Sequence, residues 1–298
     1  MSQPKSHYQI LLISESKYQL FWESNNASIF LNSHWINTVK NMDEHVAYYG
    51  LYDNSTLLNA FPVVLRNGRI FKTVTLPKLT PFLGWILPGD NLIIKSFIQN
   101  LNTSAASYSF INYSFSLNKL VTHQIDLMQS EAVLLSNLRQ DKKRNIKKAQ
   151  QQNLRITIES NFEILENLLK ITFARQKHPF NGYSQVQKIV ENYPYHFQVN
   201  IYNQQQCLAS LLIVYDRSTA YYLIGGFDNS LDNYNAGPFA MWTAILESKK
   251  KNLNIFDFEG SSVPSIAQYF KSFGAQEVAY SNFESKKWYL RLIEKIKR

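Results

Sequence analysis

The sequence predicts an α/β protein built from two similar halves. Helical and strand-like segments alternate along the chain, the second half repeats the order of the first, and a similar hairpin sequence occurs in both. The 298 residues, 45% of them hydrophobic, suffice for one large domain or for two domains with their own cores. We expect one domain over residues 1–127 and another over 128–284, without a flexible linker, followed by a basic amphipathic tail over 285–298.

The first half begins with helical segments that are broken at Asn25-Asn26. A β-rich run follows, with turn signals at Asp53-Asn54 and at Asn67-Gly68. After an irregular apolar stretch, a helix and further strand-like segments lead to about residue 125. This order of helices, hairpins, helix and strands is what the second half should repeat.

The second half gives helical signals over residues 130–152 and 162–177. A hairpin follows, then a helix from about Pro238, and then a corner at which a strand passes through Gly260 into a short helix. The hairpin segments "LYDN" (51–54) and "IYNQ" (201–204) resemble each other, and a small residue stands near the start of each following strand. Together with the shared order of elements, this similarity indicates a duplicated α/β unit.

Composition narrows the class of protein. A net charge of +9, from 31 basic and 22 acidic residues, suits an anionic partner such as nucleic acid, a phosphorylated substrate or a membrane surface. Cys207 is the single cysteine, which excludes an internal disulfide and a multi-cysteine metal site. We find no signal peptide and no apolar stretch of the roughly 18 residues that a spanning helix needs, so we expect a soluble, cytoplasmic protein.

A strongly basic segment lies in the first helical region of the second half. Six basic residues stand between Arg139 and Lys148, against one acid, and they include Arg144 and Lys147. An apolar stripe is expected along one side of this helix, at Leu135, Leu138, Ile146 and Ala149. The cationic faces are either a solvated helix surface or a site for the phosphates of RNA or of a nucleotide-linked substrate.

A helix start near Gly237 is a second candidate anion site. An aromatic strand that contains Tyr221 and Tyr222 leads through a polar loop to Gly237, and we expect Pro238 at the first helical position. Free backbone N–H groups at such a start can hold a pyrophosphate or a carboxylate. The same pattern also fits an ordinary helix start.

The strand-glycine-helix corner carries candidate catalytic groups. In "NIFDFEG", alternation puts two phenylalanines on one face of the strand and Asp257 and Glu259 on the other. These acids could serve in proton transfer or simply hydrogen-bond in the turn. In the following helix Lys271 lies off the apolar stripe, next to small residues, so it either reaches into a cleft or is exposed. The expected stripe consists of Ile266, Tyr269, Phe270 and Phe273.

Several reaction classes are disfavoured by missing motifs. HExxH, CxxC, GxSxG and Walker patterns do not occur, and the six histidines lack ligand spacing. We therefore expect neither a metal site nor a Ser-His-Asp hydrolase.

Three segments, in this order, resemble the second half of the Fem-type peptidoglycan aminoacyltransferases and of related GNAT-like acyltransferases. They are "LRQDKKRNIKKA" (138–149), "YYLIGGFD" (221–228) and "FDFEGS…YFKSFGA" (256–275). The segments "FLNSHWINTVK" (30–40) and "LTPFLGW" (79–85) are similar to the first half of these proteins. The resemblance implies two tandem GNAT-like domains, each a mixed, mostly antiparallel sheet flanked by helices.

The resemblance also implies a reaction, in which an acyl or aminoacyl group is transferred to an amine. The donor would be acyl-CoA or aminoacyl-tRNA, with no permanently bound cofactor, and the acceptor a nucleotide- or lipid-linked cell-envelope precursor. The lysine of the family's "FK..FG" corner falls on Lys271, where it would stabilise the oxyanion. The tyrosine of its "YYL" strand falls on Tyr221 or Tyr222, near the substrate, and the lysine after "W..VK" falls on Lys40, one residue further from Trp35 than in the family.

Two departures from the pattern of the family leave the identity of the acyl donor undecided. The helical hairpin that some Fem proteins insert in the second half is missing, and the coenzyme-A loop pattern is incomplete at Asn235-Ala236-Gly237. The alternative function is a non-catalytic GNAT-like protein that binds RNA or an anionic glycan through Arg144, Lys147 and Lys148. We expect the apolar residues of the 285–298 tail to pack on the first domain.

Overall fold

The structure is a computed structural model, and it describes residues 8–67, 72–100, 105–110, 119–177, 179–228, 230, 234–260 and 263–286. The described residues fall into two compact units. The first comprises residues up to Leu120 together with the segment from Ala279, and the second comprises Val121–Val278. The sequence-based boundary after residue 127 therefore differs by several residues from this division. The tail expected over 285–298 lies outside the described residues beyond Lys286.

The first unit is an α/β unit whose chain order runs β1, two α-helices, three strands, a helix and a strand. Its sheet has the order β1-β2-β3-β4-β5-β12, in which β4 and β5 are parallel and the other described pairs antiparallel. The strands are β1 (Tyr8–Ile13), β2 (Glu44–Asp53), β3 (Thr56–Asn67), β4 (Lys72–Thr75), β5 (Ala105–Phe110) and β12 (Gln276–Lys286, whose first three residues belong to the second unit). The helices are α1 (Glu15–Ser24), a 3-10 turn (Ile29–Leu31), α2 (Ser33–Val39) and α3 (Asn91–Asn100).

The second unit begins with a strand and two helices and then repeats this order. Its sheet runs β6-β11-β10-β9-β8-β7, in which β10 and β11 are parallel and the other described pairs antiparallel. The strands are β6 (Lys119–Asp126), β7 (Arg155–Thr157), β8 (His196–Asn203), β9 (Gln206–Tyr215), β10 (Thr219–Phe227) and β11 (Ile255–Asp257). The helices are α4 (Glu131–Asn137), α5 (Gln140–Gln150), α6 (Phe162–Gln176), α7 (Tyr183–Asn192), α8 (Ala236–Lys250) and α9 (Pro264–Lys271).

Local signals explain where the first helices begin and end. Ser14 caps α1 by accepting a hydrogen bond from the Lys17 N–H at 3.2 Å. The helix ends at Ser24, and Asn26 adopts a left-handed φ of 52°, so the break expected at Asn25-Asn26 is confirmed. Asn32 then caps α2 through its side-chain oxygen.

The two hairpins have the same internal geometry. The register of β2 against β3 shifts between Leu51 and Tyr52, and the register of β8 against β9 shifts between Ile201 and Tyr202. Each shift is a bulge, which inserts one extra residue into one strand and is not expected to recur at equivalent positions by chance. The duplicated α/β unit that the sequence predicts, with a mixed and mostly antiparallel sheet in each half, is confirmed.

Two helical predictions for the second unit are corrected. The helix expected over 130–152 is two helices, because Leu138 takes an extended conformation with ψ of 141° and ends α4. The resulting change of direction turns Leu134 inward, whereas Leu135 is exposed. The helix expected from Pro238 begins two residues earlier, at Ala236.

The core of the second unit lies between the sheet and the helices α4, α5, α8 and α9. It includes Phe239, Met241, Trp242 and Ile245 of α8 and the pair Phe256 and Phe258. Ile266, which was expected in the apolar stripe of α9, is exposed, while Phe270 and Phe273 are buried. None of the helices in the described part of the chain combines the length and the apolar character that crossing a membrane requires.

Candidate functional site

Two parallel strands separate at the centre of the second unit. β11 pairs with β10 over only three residues, and the last pair joins Tyr221 to Asp257. β10 continues to Phe227, still paired with β9 on its other side. Among the described residues no strand pairs with β10 beyond Tyr221 on the side of β11. The backbone groups from Tyr222 to Gly226 on this side form a free strand edge, which is able to hydrogen-bond an extended ligand. The edge ends at Phe227, whose N–H donates to Thr172 Oγ1 of α6 at 2.8 Å.

The free edge begins at a bulge between Tyr222 and Ile224. A bulge re-aims the side chains on either side of it, and such irregularities are common next to active sites. The two tyrosines predicted as substrate-binding residues differ here. The hydroxyl of Tyr221 donates a hydrogen bond to Asp216 Oδ2 at 3.1 Å. Burial raises the pKa of the Tyr222 hydroxyl well above its ordinary value. Of the two, Tyr222 stands at the first residue of the free edge.

Asp257, the last residue of β11, is a buried and fully hydrogen-bonded carboxylate. Thr122 Oγ1 and the backbone N–H of Glu259 both donate to Oδ1, the latter at 2.7 Å, and Gln124 Nε2 donates to Oδ2 at 2.7 Å. Burial raises the pKa of Asp257, and the hydrogen bonds partly offset this effect. With both oxygens occupied, Asp257 ties β6 to the end of β11.

Glu259 is the less constrained of the two acids. Its backbone has a left-handed φ of 59°, which is uncommon for a residue other than glycine. Its Oε1 atom is buried and has no hydrogen-bond partner among the described residues. Burial, and secondarily the charge of Asp257, raises the pKa of Glu259 well above its ordinary value. A strained backbone and an unpaired buried carboxyl oxygen together mark a candidate functional residue.

The turn after β11 depends on glycine. Gly260 has φ of 71°, and a Cβ atom at this position would clash with the carbonyl oxygen of Val121. The left-handed conformation and the close approach to β6 both require the absence of a side chain. Gly260 therefore fixes the direction in which the chain leaves the carboxyl end of β11.

Aromatic packing holds α9 against this end of the sheet. The rings of Phe258 and Phe270 are stacked with centroids 4.6 Å apart. The Phe270 ring also meets the Tyr222 ring edge-on at 6.2 Å. Phe270 thus links the corner after β11 to the start of the free edge of β10, and it precedes Lys271 in the chain.

Lys271 lies on the exposed side of α9 and is ion-paired. Its Nζ is 2.8 Å from Glu277 Oε2, and both side chains are about half exposed, at 45% and 49%. The hydrogen bond from Lys271 lowers the pKa of Glu277. Glu277 is an acidic partner of Lys271 that the sequence analysis missed.

His123 is a further residue that the sequence analysis missed. It lies on β6, is 0% exposed, and neither ring nitrogen has a hydrogen-bond partner among the described residues. Its backbone oxygen accepts a hydrogen bond from the Phe258 N–H at 2.9 Å, which places it beside the end of β11. Burial and the positive charge of Lys271 lower the pKa of His123, while Glu277 and Asp257 oppose this effect. No sequence motif singles out this histidine.

The basic helix α5 presents most of its cations to solvent. Arg144, Lys147 and Lys148 are exposed, as an anion-binding face requires. Lys142, which belongs to the same basic run, is buried instead. Its Nζ lies 4.8 Å from the centre of the Tyr269 ring and 3.8 Å from Asp141 Oδ2, and burial lowers the pKa of Lys142.

Two predicted residues lie away from the corner. Gly237 is in the first turn of α8, packed against the Phe227 ring, and Asn235 at the N-cap makes no side-chain capping bond. Lys40 belongs to the first unit and ends α2 by donating its backbone N–H to Ile36 O at 2.9 Å. The structure therefore brings Asp257, Glu259 and Tyr222 together at the end of β11, while Gly237, Lys40 and the cations of α5 belong to other places.

Residues 136–272 match the family model of the acetyltransferase (GNAT) domain. The comparison with curated proteins found no match. Among solved structures, a crystal structure of FemX has a TM-score of 0.74 and 11% identity, with 97% of this chain and 100% of that chain covered. At such identities the likeness concerns the fold.

Two further solved structures are similar over nearly the whole chain. One is a tandem GNAT protein from the clavulanic acid biosynthesis pathway, with a TM-score of 0.52, 8% identity, and 93% of this chain and 98% of that chain covered. The other is the C-terminal domain of a putative lysylphosphatidylglycerol synthetase from Agrobacterium fabrum, with a TM-score of 0.56, 8% identity, and coverages of 95% and 96%. The predicted tandem GNAT-like fold and the resemblance to Fem-type proteins are confirmed.

Proposed function

We propose that this chain, which carries a GNAT acetyltransferase domain over residues 136–272 and has the fold of Fem-type proteins, is an N-acyltransferase. It would move an acyl or aminoacyl group from an activated donor to an amine of a cell-envelope precursor or a similar acceptor. The observation that carries the proposal is the free edge of β10 beyond Tyr221, which begins next to the turn that contains Glu259. An extended donor arm can lie along this edge as an additional strand would.

In the proposed reaction the acceptor nitrogen attacks the acyl carbonyl carbon. A C–N bond forms, the carbonyl oxygen becomes an oxyanion, and the bond from the acyl carbon to the donor sulfur or oxygen then breaks. The nitrogen loses a proton to a base, and the leaving group takes up a proton. The protein must align the two substrates, accept the proton and stabilise the oxyanion.

We assign the proton-accepting role to Glu259 rather than to Asp257. The Asp257 oxygens are already occupied by three donors, whereas Glu259 Oε1 has no hydrogen-bond partner in the described part of the chain. A carboxyl group with a raised pKa is a stronger base than an ordinary one, and efficiency is greatest when the pKa approaches the working pH. Asp257 would act by holding the turn that carries Glu259.

The oxyanion role falls to Lys271. In the structure its ammonium is paired with Glu277 at 2.8 Å. Because both side chains are half exposed, the pair is weak, and opening it costs on the order of 0–1 kcal/mol. The long lysine side chain is then able to turn from Glu277 towards a bound acyl group. Tyr222 would contact the substrate at the first residue of the free edge.

The donor is acyl-CoA or aminoacyl-tRNA. Acyl-CoA would place its pyrophosphate at the N-terminus of α8 near Gly237, where backbone N–H groups attract anions. Aminoacyl-tRNA would use the exposed cations of α5, namely Arg144, Lys147 and Lys148. A nucleotide-linked acceptor would use the same cations. The resemblance names Lys40 of the first unit as a separate substrate-binding candidate.

Titration of the purified protein with coenzyme A, with aminoacyl-tRNA and with uncharged tRNA tests the proposal. A donor stabilises the folded protein by mass action, so the melting temperature should rise with the true donor. Binding of tRNA should weaken with salt, with a log–log slope near −0.7 to −0.9 for each phosphate contacted. Stabilisation by coenzyme A without salt-sensitive tRNA binding would exclude the tRNA version, and no response to either donor would contradict the proposal.

A second candidate function is a non-catalytic protein that binds RNA or an anionic glycan. The three exposed cations of α5 favour this candidate, because they are able to bind an anionic polymer without the corner after β11. It predicts that charge reversal at Arg144 and Lys147 abolishes binding while substitution of Glu259 or Lys271 changes no function. Loss of activity in a Glu259 variant that folds normally would exclude this candidate.

A further inference from the structure

We infer that the second unit contains a separate binding site for a neutral sugar. A cavity of about 510 Å³ opens beside β6, α4 and the start of β12, and all its lining residues belong to this unit. Its size falls within the range of small-molecule sites. It takes its polar character from five side-chain amides and one carboxylate, at Gln124, Gln129, Asn137, Asn254, Gln276 and Asp126.

The chemistry of the lining selects hydroxyl groups. Each amide offers both donors and an acceptor, as each sugar hydroxyl does, so several amides can pair with several adjacent hydroxyls. The amides of Asn254 and Gln276 have no hydrogen-bond partner among the described residues and are available to a ligand. Asn137 donates to Gln129 at 3.1 Å, which fixes two further amides relative to each other and leaves the Asn137 oxygen as an acceptor.

The negative charge of the cavity lining disfavours the binding of anionic ligands. Among the described residues that line it there is no lysine, arginine or histidine, and Asp126 is the single charged one. Asp126 Oδ1 accepts from the Met128 N–H at 2.9 Å, which holds the carboxylate in place. A phosphate or carboxylate entering this cavity would meet that negative charge without a compensating cation. The cavity is therefore unsuited to a nucleotide and differs from the cationic face of α5.

The floor of the cavity is apolar and the wall is fixed. Leu134 and Phe273 are almost completely buried beneath it, and Met128, Ile255 and Val278 present accessible hydrocarbon surface of the kind that packs against the C–H face of a sugar ring. Gly274 has φ of 84°, and a Cβ atom there would lie 2.9 Å from the Asn137 Cβ. The glycine allows α9 and α4 to approach closely at this wall, so the amide of Asn137 is held at the cavity rim.

Gln124 connects the cavity with the proposed reaction site. It lines the cavity and also donates to Asp257 at 2.7 Å. A sugar held here would therefore lie next to the residues that anchor the corner after β11. Binding itself does not depend on the proposed acyl transfer, and it is measured without any reaction.

Saturation-transfer NMR and calorimetry on the full chain test the inference, with glucose, galactose and N-acetylglucosamine as neutral probes and glucuronate as the anionic probe. We expect at least one neutral sugar to bind and glucuronate to bind much more weakly. The double variant Asn254→Leu/Gln276→Leu should lose about tenfold in affinity, since it removes two amides that each contribute about one hydrogen bond's free energy. Asp126→Asn should improve glucuronate binding.

The matched control is Gln187→Leu, which removes an exposed amide of α7 outside the cavity. This variant should bind the sugar as the unchanged protein does. The inference is overturned if no neutral sugar binds, if glucuronate binds equally well, or if Asn254→Leu/Gln276→Leu leaves the affinity unchanged. The melting temperature of each variant establishes that the chain is folded, and a variant that unfolds is replaced by Asn254→Ser.

Discussion

Lys271 Nζ and Glu277 Oε2 lie 2.8 Å apart, so the cation proposed to stabilise the oxyanion is ion-paired in the structure. Glu277 stands at the second residue of β12, and the turn between the two residues contains Gly274 with φ of 84°. The two side chains meet because the chain turns at Gly274, directly after α9. This geometry links the proposed oxyanion role of Lys271 to an acid that no motif marks.

Lys271→Ala should lower turnover by a factor on the order of 10² or more, because one oxyanion stabiliser is lost. The measurement is single-turnover acyl transfer at saturating donor, together with the melting temperature. Lys250→Ala is the matched control, since Lys250 is also an exposed lysine paired with an acid, Glu247, at 2.6 Å. Full activity of a folded Lys271→Ala protein would remove the assignment.

Glu277→Gln tests the same ion pair by removing its negative charge. It should retain turnover within about a factor of ten and change the free energy of unfolding by no more than about 1 kcal/mol, because an exposed ion pair contributes little. A loss as large as that of Lys271→Ala would show that the ion pair itself, and not the free cation, is needed.

Asp257 should respond differently to two substitutions. Asp257→Ala leaves three buried donors unpaired and should lower the free energy of unfolding by about 3 kcal/mol or more. Asp257→Asn should cost much less, because the Gln124 amide is able to rotate and offer its oxygen to the new amide group. Urea denaturation of both variants measures the difference, and equal destabilisation would argue against Asp257 as an anchor of the turn.

Glu259→Gln should lower turnover on the order of 10² while leaving stability nearly unchanged, because Oε1 has no hydrogen-bond partner to lose among the residues that the structure describes. Burial raises the pKa of Glu259, so the base is protonated over a wider acidic range than an ordinary glutamate. The rate should therefore rise with pH through this raised pKa, and the variant should lack that limb. An unchanged pH–rate profile in Glu259→Gln would assign the proton to another group.

His123 predicts a pH dependence of stability. Its pKa is lowered in the folded protein, so the unfolded chain binds more protons below its ordinary pKa of about 6.5. The contribution of the neutral imidazole to the free energy of unfolding is thus fully present above about pH 6.5. It is lost as the pH falls towards and through the lowered pKa that His123 has in the folded protein. His123→Gln should reduce this loss, measured by denaturation between pH 7 and pH 5. Burial lowers the pKa of His196 as well, so His196 should leave part of the slope in place, and an unchanged slope would contradict the prediction for His123.

The sequence determined the architecture because turns and hydrophobic periodicity are local properties. The residues Asp53-Asn54 and Asn203-Gln204 mark both hairpin turns, and Asn54 and Gln204 each adopt φ of 52°. A turn of this kind sets the register of the strands that it joins. For the same reason the duplicated order of elements and the resemblance to tandem GNAT proteins were accessible without coordinates.

The tertiary structure alone decided which polar groups are buried and what they contact. Lys142 and Arg144 belong to one basic run, yet Lys142 packs on Tyr269 of α9 while Arg144 is exposed. Charge patterns carry no information about the opposing element, so burial of this lysine could not be predicted. His123 became a candidate only because β6 brings it to the end of β11, across a long sequence separation, and Glu277 only because the turn after α9 brings it back to Lys271. Protonation and pairing at the proposed site depend on those non-local contacts, since desolvation and neighbouring charge set the pKa of each group.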